Sequence, residues 1–81
     1  MEILLRDERF LSLRIRNKTP SSLFIGRSLK DIPLPEGCLV ALIRRRGETI
    51  VPRGLTVILE GDRLTIIGDA QGIEQLNNKY N

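Results

Sequence analysis

Among the side chains able to do chemistry in this sequence, arginine is the commonest charged one. Arg44-Arg45-Arg46 form a triplet, and Arg53 follows close behind. Guanidinium groups at this density suit carboxylates and phosphates, which they hold through paired N–H donors. Such a run has three readings: a solvated face that aids solubility, an anion or anionic-lipid contact, and nucleic-acid binding. Phe10, Phe24 and Tyr80 are the only aromatics. They offer little for bases to stack on, so nucleic acid is the weakest of the three.

The inventory for catalysis is poor. Glu36, Asp62 and Asp69 each stand beside a turn, where capping or turn stabilisation explains a carboxylate better than acid–base work does. The chain has no histidine to act as a base near neutral pH. Cys38 is the only cysteine and lies between Gly37 and an apolar run, a setting for a buried, inert thiol. An intrachain disulfide is therefore impossible, and a zinc site lacks ligands. Neither a P-loop nor G-x-G-x-x-G is present. No enzyme activity, cofactor or metal is expected.

The elements that must position these residues read as a small α+β domain. Leu11, Leu13 and Ile15 alternate with Ser12, Arg14 and Arg16, the period of a half-buried strand over residues 10–16. Turn formers from Asn17 to Ser22 end it, and Pro20 pushes Thr19 towards an extended conformation. Leu29 and Ile32 predict one or two helical turns that Pro33 stops. The continuous apolar run Leu39-Val40-Ala41-Leu42-Ile43 predicts a central strand covered on both faces. A glycine-containing connection then leads to a short strand, Thr49-Ile50-Val51, halted by Pro52, which makes an antiparallel hairpin. Residues 55–59 are β-rich and lead into the turn Glu60-Gly61-Asp62, after which residues 63–68 form another strand. Asp69 is the expected N-cap of a last helix carrying Ile73, Leu76 and Tyr80 on one face. The order is β-α-β-β-(β)-α, with a small antiparallel or mixed sheet of three to five strands and two short helices. Gly26, Gly47 and Gly61 fall at turns, and Gly26 and Gly61 suit positive φ. Asp62 can fix its turn by bonding neighbouring backbone amides.

Length and charge bound what such a domain does. With 81 residues the chain has room for one core. Domains this small leave much of their surface in water, and a partner would stabilise them. A hydrophobic share of 41 % beside 28 % charged residues argues against disorder. The net charge of +3 is compatible with anionic partners without demanding them. No apolar run approaches the roughly 20 residues of a membrane helix, and residues 1–8 lack the apolar stretch of a signal peptide. Any membrane-spanning part is expected outside this chain. Residues 1–8 are read as a linker or extra element, and residues 9–81 as the domain proper.

Three segments, in order, resemble the TrkA-C (RCK C-terminal) family. Gly26-Arg27-Ser28-Leu29-Lys30-Asp31-Ile32-Pro33-Leu34-Pro35 is similar to its G-K-S-L-x-E-L-x-L-P segment. The stretch from Leu42 to Pro52 resembles its I-x-R-x-G-x-x-x-x-P hairpin, and that from Leu59 to Gly68 its L-x-x-G-D-x-L-x-V-x-G close. The resemblance covers residues 10–77 and implies a cytosolic ligand-sensing regulator of ion transport. Such domains sit on potassium uptake systems, cation/proton antiporters, anion symporters and ClC-type chloride channels. They pair as two-fold dimers and hold a small anionic or nucleotide ligand, such as cyclic di-AMP, between partners. A homodimer attached to a membrane-embedded transporter or channel is thus implied. Ligand contacts carry over to Leu34, Pro35, Leu39 and Pro52, and the basic cluster adds Arg45 and Arg53. Family members that bind cyclic dinucleotides have Asp-Ile-Arg where this chain has Pro33-Leu34-Pro35. The phosphate-pairing arginine is therefore absent at that place, and the ligand is left open. The alternatives are a purely structural dimerisation module and a free-standing basic anion- or nucleic-acid-binding domain.

Overall fold

A computed structural model describes residues 8–81. The linker-or-extra-element reading of residues 1–8 falls, but for Glu8, outside them. Four strands form one antiparallel sheet: β1 (Glu8–Arg14), β2 (Cys38–Arg45), β3 (Glu48–Ile50) and β4 (Arg63–Asp69). Their order is β1-β4-β2-β3, so β4 and β2 are the inner strands. Helix α1 (Ala70–Tyr80) follows β4 directly and packs back across β1 and β4.

Alternation decides which face is buried. Leu11, Leu13, Leu64, Ile66 and Ile43 point to the helix side, where Ile15, Ile58, Phe24, Ile32, Ile73, Leu76 and Tyr80 complete the core. Asp69 caps α1 as expected, accepting the Gly72 N–H at 2.7 Å. Lys79 in the last turn complements the negative end of the helix dipole. The Phe24 and Tyr80 rings meet at 4.8 Å and 49°, pinning the end of α1 to the segment after β1.

The hairpin between β2 and β3 is tight. Arg45 pairs with Glu48, leaving Arg46-Gly47 as a two-residue turn. Both have positive φ, 53° and 82°, the type I′ geometry whose twist matches the flanking strands. Gly26 and Gly61 also have positive φ, 85° and 92°, as their turn positions imply.

Several local expectations need correction, though the helical turn expected at Leu29 and Ile32 is present: the region between β1 and β2 holds two 3-10 turns, Pro20–Phe24 and Leu29–Asp31, and no α-helix among the described residues. Pro20 starts the first, where its missing N–H does no harm, and Pro33 leaves the second no room to lengthen. Strand β2 is not covered on both faces: Leu39 is 53 % exposed and Leu42 37 %. A register shift between Val40 and Leu42 puts both on the outer face while Ile43 returns to the core. Strand β3 ends at Ile50, and Val51 is exposed. Residues 55–59 form no strand; a single bridge joins Ser28 to Val57. The outer face of the sheet has no covering layer among the described residues.

Candidate functional site

The second 3-10 turn and the loop after β3 are laced together by backbone bonds. Leu29 N–H donates to Thr56 O at 2.9 Å, and Lys30 N–H to Gly54 O at 2.9 Å. The loop closes on itself where Arg53 N–H donates to Thr56 Oγ1 at 2.9 Å and Thr56 N–H to Arg53 O at 3.0 Å. Between these segments and the start of β2 lies an open cleft of about 280 Å³. Leu34, Leu39, Val40 and Pro52 give it apolar walls, and Lys30 and Arg53 stand at its rim side with no acidic residue in the lining. Such a lining suits a small body with an apolar part and a negative group.

The structure thus brings together Leu34, Leu39, Pro52 and Arg53. Pro35 is not in that lining. It faces, with Pro33 and Leu34, a smaller depression of about 200 Å³ against Gln75, Leu76 and Lys79 of α1. Lys30 was missed because it stands 23 residues before Arg53 (53 − 30) and nothing local marks it.

Arg45 lies apart, over the Asp62 turn. Its Nε donates to Asp62 Oδ1 at 2.9 Å and its Nη2 to Asp62 Oδ2 at 2.8 Å, while Nη2 also reaches Val57 O at 2.8 Å. Asp62 is 1 % exposed and accepts the Leu59 N–H at 2.9 Å as well. Burial alone would raise the Asp62 pKa. The bonds from Arg45 and Leu59 and the Arg45 charge together outweigh it and hold the carboxyl below its ordinary range. Bonding to Asp62 likewise pushes the Arg45 guanidinium up, against the opposing effect of burial.

Of the other candidate carboxylates, Asp69 caps α1, whereas Glu36 is exposed in the loop before β2. Burial, then the Asp69 charge, pushes the Cys38 thiol up, which keeps it protonated and unreactive. Among the described residues no group of three His, Cys, Asp or Glu is placed to hold a metal, and no helix is long and apolar enough to cross a membrane.

Known proteins agree on the family. A model of the TrkA-C domain matches residues 13–81. A Trk system potassium uptake protein TrkA homolog of Archaeoglobus fulgidus is 37 % identical over 55 residues, 68 % of this chain and 13 % of that protein. A K(+)/H(+) antiporter NhaP2 of Shewanella sp. (strain ANA-3) is 32 % identical over 56 residues, 69 % of this chain and 10 % of that protein. The match thus takes in only a small part of each relative. A solved structure described as an RCK domain with cda superposes with a TM-score of 0.73 at 24 % identity, covering 89 % of this chain and 97 % of its own, a likeness of fold. Sheet order, hairpin, capped helix and these matches together place the chain in the TrkA-C domain family.

Proposed function

We propose that this chain is a cytosolic regulatory domain that senses a small anionic ligand and passes the signal to a connected potassium transporter or cation antiporter. The observation that carries this reading is the cleft, where the apolar walls formed by Leu34, Leu39 and Pro52 meet the unopposed cations Lys30 and Arg53. A ligand there would favour whichever arrangement of neighbouring subunits it binds more tightly, and only that difference in affinity can move a gate. Relatives among potassium uptake proteins and antiporters support the choice of transported ion class.

A second reading, a purely structural dimerisation module, draws on a different observation. Phe10 pairs with Ile67 and Ile67 with Leu39, an apolar row across the outer face of β1, β4 and β2, which no other described element covers. Such a row suits an identical face across a two-fold axis.

Thermal denaturation against nucleotides, cyclic dinucleotides and simple anions separates the two, run on the wild type and on Lys30→Ala and Arg53→Ala. Sensing requires a rise in Tm that both substitutions reduce. A flat response throughout, with a dimeric mass by analytical ultracentrifugation, would leave the structural module. A monomeric mass at high concentration would refute dimerisation under either reading.

A further inference from the structure

Strand order brings three arginines into one line that their positions in the sequence do not suggest. Arg14 on β1 pairs with Arg63 on β4, and Arg63 pairs with Arg44 on β2. All three are exposed on the outer face. With strands about 4.8 Å apart, the row spans about 10 Å. Arg46 on the hairpin turn and the hydroxyl-bearing Ser12 and Thr65, one step along the same face, line the same open depression of about 460 Å³, and no acidic residue does. Arg45, on the other face, is paired with Asp62, and no ion pair within the described residues reaches Arg14, Arg44 or Arg63.

Like charges directly opposite one another destabilise a sheet. The fold tolerates that here on its outer face while giving Arg45, next in sequence to Arg44, a carboxylate of its own. We propose that the row Arg14–Arg63–Arg44 is a binding site for a multivalent phosphate group, distinct from the Leu39–Pro52 cleft. Guanidinium forks match phosphoryl oxygens two donors at a time, and a row about 10 Å long suits two or more linked or neighbouring phosphates better than one carboxylate. Serine and threonine hydroxyls supply further donors beside it. RNA is the poorer occupant: Phe10 is four residues from Arg14, about 13 Å along the strand, and Tyr80, which lines a depression beside Arg14 and Arg63, is only 7 % exposed, so bases have little to stack on at the row. The phosphates could come from a free diphosphate or from the headgroups of an anionic membrane surface, and one chemistry serves both.

The test uses sodium pyrophosphate at constant ionic strength, read by thermal denaturation, and sedimentation with phosphatidylcholine vesicles containing or lacking phosphatidylserine. Wild type should gain Tm with pyrophosphate, or sediment only with the anionic vesicles; the first outcome assigns a free ligand, the second a lipid surface. Arg63→Thr removes the centre of the row, so it should keep or raise the Tm of the unliganded protein and bind about tenfold more weakly. Arg14→Gln, on the edge strand, serves if Arg63→Thr fails to fold, and Arg27→Gln, an exposed cation in neither the row nor the cleft, should respond like wild type. The proposal falls if wild type responds to neither probe, or if Arg63→Thr and Arg14→Gln respond as wild type does. It also falls if a single-stranded RNA oligonucleotide displaces pyrophosphate and stays bound as salt is raised.

Discussion

Arg45 and Asp62, 17 residues apart, close a two-toothed ion pair at 2.9 and 2.8 Å that locks the β2–β3 hairpin to the turn before β4. The same carboxylate accepts the Leu59 N–H and the same guanidinium caps the Val57 carbonyl, so one pair orders the strandless stretch 55–59. Asp62→Ala strips a buried charge from its partner and should lower the unfolding free energy by about 3 kcal/mol. Arg45→Ala should be nearly as severe, since it leaves Asp62 buried and unpaired. In urea denaturation the double variant should lose less than the two singles combined. A loss under about 1 kcal/mol for Asp62→Ala would show that the pair does not organise the turn.

Acid should expose the same pair. The folded Asp62 pKa lies below its ordinary value, so its contribution is fully present above about pH 4, the unfolded carboxylate range, and fades as pH falls through the folded pKa. Wild-type stability, followed by urea midpoint, should fall from about pH 4 downward. Asp62→Asn should be less stable at neutral pH and flatter across that acid window. Parallel curves would remove Asp62 as the cause.

Two glycines should fail for different reasons. Gly61 has φ of +92° with nothing within 4 Å of an added Cβ, so Gly61→Ala should cost about 1 kcal/mol of backbone strain alone. At Gly68 the backbone is ordinary, but a Cβ would fall 2.5 Å from Cys38 Sγ and 2.8 Å from Gly37 O. Gly68→Ala should therefore cost about 2 kcal/mol by overpacking, read by the same denaturation. Cys38, half-buried behind it and close to Asp69, should react more slowly with a disulfide reagent in the folded chain than in urea. Equal rates would mean an open thiol.

Leu39 should matter for binding and little for folding. It is half exposed and lines the cleft, so Leu39→Asp should change stability by no more than about 0.5 kcal/mol. The same substitution should abolish both ligand-induced stabilisation and self-association. Retention of both, measured by thermal shift and sedimentation, would move the functional surface elsewhere.

By itself, the sequence determined what short-range physics controls. Alternation at Leu11 and Leu13 set the buried face of β1, Asp69 capped α1, and Gly47 and Gly61 took left-handed turns. Each depends on a few neighbouring residues, which is why the α+β class and the family pattern were legible. Only the tertiary structure decided which distant residues meet. The partner of Asp62 is Arg45, the cation opposite Arg53 is Lys30, and the row Arg14–Arg63–Arg44 joins residues up to 49 positions apart (63 − 14). Strand order β1-β4-β2-β3 and the register shift near Ala41 make those meetings, and both follow from packing one apolar face under α1 rather than from any local signal. Continuous apolarity from Leu39 to Ile43 could not reveal an uncovered face, because a run of that kind reads the same whether its second face meets protein or solvent.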